Sequence, residues 1–292
     1  MADIALSATS RANLLSLQNT TDLANRTQNR LSTGMKVSSA LDDAVAYFAS
    51  KSLSDRSADF TERKAEIDQG ISTLKVAMNA TEAADKILKQ IKGVAISAKT
   101  ADNATKADLS AQFQDLLNQF NSLIGDATYQ GTNLLQGSSQ NLTVSFSEVS
   151  TSELSVVGRE LRAGFLFTAA GAATADGAAI FAALAGATSF TAIATSSLVT
   201  AINDITKSVD TAVSAVRAAT ASLGSNITLL STRLDFSKNY INTLTEGADK
   251  LTLADLNEEG ANLVALQTRQ QLALKALSFA GQNEQAVLQL FQ

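Results

Sequence analysis

Leu14-Leu15-Ser16-Leu17-Gln18-Asn19-Thr20-Thr21-Asp22-Leu23-Ala24-Asn25-Arg26-Thr27-Gln28-Asn29-Arg30-Leu31-Ser32-Thr33-Gly34 contains no helix breaker before its last residue. Leu14, Leu17, Thr21, Ala24, Gln28 and Leu31 alternate spacings of three and four, the a/d rhythm that sets one face of a helix against a partner helix. The pattern begins near Ala5, and Gly34 reads as its stop, because glycine enters the left-handed conformation after a helix without a Cβ clash. A helix of this kind cannot bury its stripe alone, and isolated helices are marginal without packing. It needs a partner.

The far end of the chain carries the same rhythm. From about Ala254, one seven-residue series runs Leu256, Leu263, Gln270, Leu277, Glu284 and Phe291, and a second runs Glu259, Leu266, Ala273, Ala280 and Val287. Arg11, Arg26 and Arg30 outnumber Asp22 in the first helix, whereas Asp255, Glu258, Glu259 and Glu284 outnumber Arg269 and Lys275 in the last. The opposite excess favours pairing of the two ends, although exposed ion pairs contribute only about 0–1 kcal/mol each. Apolar burial, at roughly 25 cal/mol per Å², must dominate. The candidate seam is Leu14, Leu17, Ala24 and Leu31 on the first helix, with Leu256, Leu263, Leu266, Ala273, Leu277, Ala280, Val287 and Phe291 on the last. Heptads alone leave open whether these leucines form an ordinary core or join copies of the chain.

Between the ends the pattern stays mostly helical. Ser39 with Asp42 is a capping-box signature, which predicts a second helix from near Ala40 to about Thr100. Sixty residues of helix would measure about 90 Å, more than one globular core requires. Ile67, Ile71, Leu74, Met78 and Thr81 hold one phase, and Ala84, Ile87, Ile91, Val94 and Ala98 hold another, so the supercoil should change locally near Thr81. Thr105 and Asp108 offer a further cap before Phe113, Leu116, Leu117, Phe120 and Ile124. After Gly131 and Gly137 the period drops to two: Leu142, Val144 and Phe146 face one way, with Leu154 and Val156 on a partner strand. From Ala163 to Asn203 the only charge is Asp176, and the segment reads as a small insertion with weakly specified structure. Helix returns at Ile202, Ile205, Val209, Ala212, Val216, Ala219 and Leu223, and a stutter leads to Ile227, Leu230, Leu234, Ser237, Ile241 and Leu244.

Composition narrows the chemistry. The 292 residues include no His, Cys, Trp or Pro. At average usage about 15 prolines would be expected, and their absence suits long uninterrupted helices. Without His or Cys, Ser–His and Cys–His nucleophiles and the usual zinc sites are excluded, while Lys or carboxylate chemistry stays formally open. Asp42-Asp43 and Glu258-Glu259 are the carboxylate pairs available, but acids in a helix's first turn, stabilised by its dipole, are the plainer reading. No glycine-rich phosphate loop is present, so we expect no enzyme, no cofactor and no metal. Hydrophobic residues make up 45%, aromatics only 5% and charged residues 17%, a composition suited to tight helix–helix contact. A net charge of −5 argues against nucleic acid as partner. Asp3, Arg11 and Asp22 interrupt any secretory signal, and Gly177 to Ala187, the longest apolar stretch, falls short of the ~20 residues that span a bilayer. No membrane contact is expected. Asn141-Leu142-Thr143 and Asn226-Ile227-Thr228 match N-glycosylation sequons, a short motif that recurs by chance.

Arg30-Leu31-Ser32-Thr33-Gly34-Met35-Lys36-Val37-Ser38-Ser39-Ala40, followed by Asp42-Asp43-Ala44, resembles the N-terminal signature of the bacterial flagellins. The residues that carry it are Arg30, Leu31, Gly34, Ala40, Asp42 and Asp43. Thr128-x-x-Gly131-x-x-Leu134-Leu135-x-Gly137 is similar to the motif ending that family's N-terminal block. Leu266-Gln267-Thr268-Arg269-Gln270-Gln271-Leu272, Ala276-Leu277-Ser278 and Val287-Leu288-Gln289-Leu290-Phe291 resemble its C-terminal block, particularly in alphaproteobacterial members. The resemblance covers roughly 1–137 and 205–292, and the middle resembles nothing identifiable.

The resemblance implies a mainly α fold: long antiparallel coiled-coil helices from both termini, a small β-hairpin region and a short variable central insertion. It divides the chain into 1–45 and 248–292 as the halves of an inner-tube coiled coil, 46–140 and 201–247 as helical shaft, and 141–200 as hairpin and outward insertion. It implies a secreted structural subunit that homopolymerises into the extracellular flagellar filament for swimming. The implied partners are hook-junction and filament-cap proteins and the flagellar type III export apparatus, with room for an export chaperone. In the family's innate-immune recognition segment a characteristic Arg and Glu are expected; Leu88-Lys89-Gln90-Ile91-Lys92-Gly93-Val94-Ala95 has neither, so weak binding to the animal receptor is expected. A hook–filament junction protein is the alternative within the family, and a secreted translocator acting on a host membrane is the alternative from another class.

Overall fold

The computed structural model describes residues 8–147, 151–169 and 195–290. In chain order these form α1 (Ala8–Thr33), α2 (Ala44–Ala98), α3 (Asn103–Asp126), β1 (Asn141–Ser145), β2 (Glu153–Val157), α4 (Ala163–Ala169), α5 (Thr195–Thr252) and α6 (Leu256–Leu290). The chain divides into a terminal unit, Met1–Ser57 with Asn242–Gln292, and a central unit, Ala58–Ile241; α2 and α5 contribute to both. The fold is the expected one of long terminal helices with a small antiparallel sheet.

Helix starts differ from the sequence expectation for a local reason. Asp43 accepts the Ala46 N–H at 3.0 Å and so caps α2, which begins at Ala44 rather than Ala40. Asp42 is not a capping-box acid; it is consumed by the turn that precedes the helix. At α3 the cap is Asp102, which accepts the Thr105 N–H at 2.9 Å, so Thr105 and Asp108 already lie inside the helix. α5 begins at Thr195, ahead of the expected Ile202.

The central unit holds the main apolar core. Ile67, Ile71 and Leu74 from α2, Phe113, Leu117, Phe120 and Ile124 from α3, and Ile202, Ile205, Val209 and Val216 from α5 are buried together. α2 passes through the phase slip without a break. Thr81 is fully buried there, donating to the Met78 carbonyl at 2.7 Å and accepting from Thr220 Oγ1 of α5 at 2.9 Å. Beyond the slip the buried residues are Ala84, Leu88, Ile91, Ala95 and Ala98, with Ile87 and Val94 only partly covered, so the expected second phase is off at two of its five positions. Lys92 to Asp210 and Arg217 to Asp85 pair the outer flanks of the same two helices.

The hairpin packs by the expected alternation. Leu142 stands opposite Val156 and Val144 opposite Leu154, and Val144, Phe146 and Val156 are buried against the helices. Asn133, 3% exposed, anchors the loop that leads there. Its amide donates to the Ile124 and Gly125 carbonyls at 2.7 and 3.1 Å, closing the C-terminus of α3, while its oxygen accepts the Leu135 N–H at 2.8 Å. After β2, Gly158 comes so close to this loop that a Cβ would stand 2.3 Å from the Gln140 carbonyl oxygen and 2.5 Å from that of Gly137. Both obstacles are backbone. Gly158→Ala is therefore expected to destabilise the full chain by about 1–3 kcal/mol, read from the shift of its urea unfolding midpoint; an unchanged midpoint would show that the loop yields freely.

Ala163, Leu166 and Phe167 of α4 are buried in this same core. The segment expected to be insertion from Ala163 thus begins as core, because Phe167 and Leu166 find apolar cover there. Gly177 to Ala187, and with it most of that insertion, lies outside the described residues.

Candidate assembly surface

α1 and α6 pair within the terminal unit. The α1 residues shielded from solvent are Asn13, Leu17, Thr20, Thr21, Ala24, Thr27 and Arg30, and those of α6 are Glu259, Gly260, Leu263, Leu266, Gln270, Ala273, Leu277, Ala280 and Gly281. Two polar contacts fix the antiparallel register. Arg30 donates to Glu259 at 2.9 Å, and Gln270 Nε2 donates to Thr21 Oγ1 at 3.3 Å. Glu259 is 8% exposed and Arg30 is half-buried. Removing the arginine would leave a shielded carboxylate without its partner, which is the costly way to break such a pair.

The seam differs in detail from the one read in the sequence. Leu17 and Ala24 lie in it, as do Leu263, Leu266, Ala273, Leu277 and Ala280. Leu14, Leu31 and Leu256 are exposed instead. On α1 the middle of the expected stripe, Leu17, Thr21 and Ala24, is shielded, while toward its ends Asn13, Thr27 and Arg30 are shielded in place of Leu14, Gln28 and Leu31. A straight helix of 3.6 residues per turn drifts from a 3.5-residue stripe, and at the C-terminal end of α1 Arg30 meets Glu259. The Val287 side chain and Phe291 lie outside the described residues. Glu258 and Glu259 part company: Glu258 is an exposed first-turn acid, and Glu259 belongs to the seam. Its place in the seven-residue series was the signal for that.

The connector explains the signature residues one by one. Gly34 adopts φ 70°, its N–H returns to the Arg30 carbonyl at 2.8 Å, and its own carbonyl accepts the Ala254 N–H at 3.0 Å. Met35 pairs antiparallel with Leu253, and the Lys36 N–H reaches the Thr252 carbonyl at 2.7 Å. The strands entering α2 and leaving α5 are thereby tied side by side. Ala40 is an exposed turn residue. Asp42 Oδ2 accepts from the N–H and hydroxyl of both Ser38 and Ser39, at 3.0–3.2 Å. Asp255 Oδ1 accepts the Asn257 N–H at 2.9 Å and so caps α6.

The Ser38 hydroxyl and N–H, ahead of those of Ser39, hold the Asp42 carboxyl below its ordinary value of 3.8. A lowered folded value means the clamp is complete above that ordinary value and is lost as pH falls through the folded one. A carbon-detected titration of Asp42 in the full chain is expected to give a midpoint below 3.8; a midpoint at or above it would show that the serines do not hold the carboxylate.

What the terminal unit leaves uncovered is apolar. Among the described residues, fifteen of the twenty-one exposed large hydrophobic ones lie in it, while those of the main core lie in the central unit. Leu41 is 98% and Val45 82% exposed, and Leu15, Leu23, Phe48, Val264, Leu272 and Phe279 join them. Large exposed apolar patches on a protein mark surfaces that meet another molecule. Among the described residues no group of acids, histidines or cysteines is placed to hold a metal ion, and no helix is long and apolar enough to cross a membrane.

Residues 4–140 match the family model for the bacterial flagellin N-terminal helical region, and residues 206–291 match that for the flagellin C-terminal helical region. Flagellin FljO of Caulobacter vibrioides is 31% identical over 284 residues, covering 96% of each chain. The flagellin of Brucella melitensis is 28% identical over 297 residues and the full length of both. A crystal structure of Bacillus cereus flagellin aligns with 59% of this chain and 88% of its own, at 16% identity and a TM-score of 0.45. With both helical blocks matched in order, and near full-length relatives in two alphaproteobacteria, the chain belongs to the bacterial flagellin family.

Proposed function

We propose that the terminal unit joins copies of this chain, the paired α1 and α6 acting together, and that the central unit is the folded body each copy contributes. Flagellins are structural proteins that polymerise into the flagellar filament, and this chain is a filament subunit. One observation carries the division of labour: the central unit buries its apolar residues within the chain, and the terminal unit displays them. Leu17, Ala24, Leu263, Leu266, Ala273, Leu277 and Ala280 hold the pair together, and the exposed leucines around them meet neighbouring copies. The divisions at 1–45, 46–140, 141–200, 201–247 and 248–292 belong to this reading.

The same reading makes the chain a non-enzyme exported by the flagellar type III apparatus, a chaperone being compatible with it, and places it outside the cell between hook-junction and cap proteins. It also makes receptor signalling weak. Lys89 is tied to Asp85 and Lys92 to Asp210, and Leu88, Ile91 and Ala95 face the core, which leaves that stretch little to offer a receptor. Immunogold microscopy of intact cells, with antibody raised against the purified chain, is expected to decorate the whole filament. A single band beside the hook would make this the junction protein instead.

A further inference from the structure

The seam between α1 and α6 carries one charged residue on each side. Among the described side chains, Arg30 is the only charged one on the shielded face of α1, and Glu259 the only one on that of α6. Arg11, Asp22 and Arg26 on α1, and Glu258, Arg269 and Lys275 on α6, are exposed instead. Arg30 and Glu259 meet at 2.9 Å, with 26% and 11% of their side-chain surface exposed. A pair so shielded adds little net stability over well-packed apolar residues, because desolvation of the two charges offsets their attraction. What it adds is a choice of partner.

The apolar part of the seam makes no such choice. Leu17 and Ala24 on α1, and Leu263, Leu266, Ala273 and Leu277 on α6, are aliphatic residues at heptad spacing, which suits a like helix as readily as an unlike one. The two charges end that equality. Two parallel α6 helices would set Glu259 against Glu259; two antiparallel ones, overlapped from Glu259 to Ala280, would set it against Ala280. Two α1 helices would set Arg30 against Arg30 or, overlapped from Asn13, against Asn13. Every like pair therefore shields a charge without its counter-charge, and only α1 with α6 cancels both. We propose that Arg30 and Glu259 are the specificity-determining residues of the seam: they make each terminal helix reject its own kind and direct α1 to α6. This rests on the reading of the chain as a filament subunit, whose copies are brought close enough for like helices to compete.

The chain has no cysteine, so Gln270→Cys places a sole thiol midway along the α6 seam, close to its own copy in a like pair of either direction. In dispersed full chain carrying this thiol, Glu259→Leu is expected to raise the yield of disulfide-linked dimers, formed with diamide, by roughly tenfold. The exchange of Arg30→Glu with Glu259→Arg keeps one charge of each sign and is expected to leave that yield unchanged. Without the thiol, Arg30→Glu alone is expected to raise the concentration needed for assembly by roughly a hundredfold, and the exchange to bring it back to within about tenfold of wild type. A dimer yield that Glu259→Leu does not move would overturn the proposal, and so would an exchange that assembles no better than Arg30→Glu. A wild-type chain that forms no filaments would overturn the filament-subunit reading, while the dimer yield, measured on dispersed chain, still decides the proposal.

Discussion

Leu266→Asp abolishes polymerisation at concentrations where the wild-type chain assembles, and leaves the thermal unfolding of the central unit where it was: that is the expected result. Among the described side chains Leu266 is the most shielded leucine of α6, set between Glu259 and Ala273 on the face toward α1. The seam it serves is unusually polar, with Asn13, Thr20, Thr21, Thr27, Arg30, Glu259 and Gln270 all on it. Its apolar content rests on few residues, chiefly Leu17, Leu263, Leu266 and Leu277. Removing a buried leucine costs about 2–5 kcal/mol, and a carboxylate in its place adds desolvation. Every copy in a polymer bears that cost. Even 3 kcal/mol corresponds to roughly a hundredfold in the concentration needed for assembly. Sedimentation of the full chain measures the effect, and circular dichroism checks that unfolding of the core is unmoved. Filaments formed at the wild-type concentration would show that α1 and α6 need not pair for copies to join.

The polarity of that seam also explains what could and could not be read from the sequence. Period and helix stops were legible: Gly34 ended α1, the strands alternated as Val144 and Val156 required, and between Glu259 and Ala280 the two seven-residue series of α6 fell on its shielded face. The phase of α1 was not. A hydrophobic count prefers Leu14 and Leu31 over Asn13, Thr27 and Arg30, and it cannot see that Arg30 meets Glu259, more than two hundred residues away. Helix caps failed for a similar reason. Ser39 with Asp42 and Thr105 with Asp108 both satisfied the capping-box spacing, whereas Asp43 and Asp102 were better placed once the preceding turns had formed. The buried end of the insertion was hidden by composition, since Ala163, Leu166 and Phe167 stand in a run of Ala, Gly and Thr that offers no period.

The site was half legible. Heptads identified which helices associate and not with whom. The structure places Leu263, Leu266 and Leu277 against the partner helix of the same chain and leaves Leu272 and Phe279, which neither seven-residue series selected, exposed. A helix that is apolar on two faces looks, in a periodicity search, like a helix with a blurred single face.

The converse of the seam variant tests the separation from the other side. Phe120 is fully buried on α3, among Phe113, Leu117 and Ile124. Phe120→Ala is expected to lower the stability of the central unit by about 3–5 kcal/mol, since the cavity left by a phenyl ring is only partly refilled. In a unit of this size that is a fall of roughly 6–20 °C in Tm. Assembly should survive it. Among the described residues none of the terminal unit belongs to the core that Phe120 fills. Filaments of the variant are therefore expected to form normally well below the new Tm, at the wild-type critical concentration, and to come apart at lower temperature as the central unit melts. Calorimetry and sedimentation on the same samples measure both halves of the expectation. Loss of assembly at temperatures where circular dichroism still reports a folded core would mean that the core shapes the assembling surface directly, and that the two units cannot be assigned separate tasks.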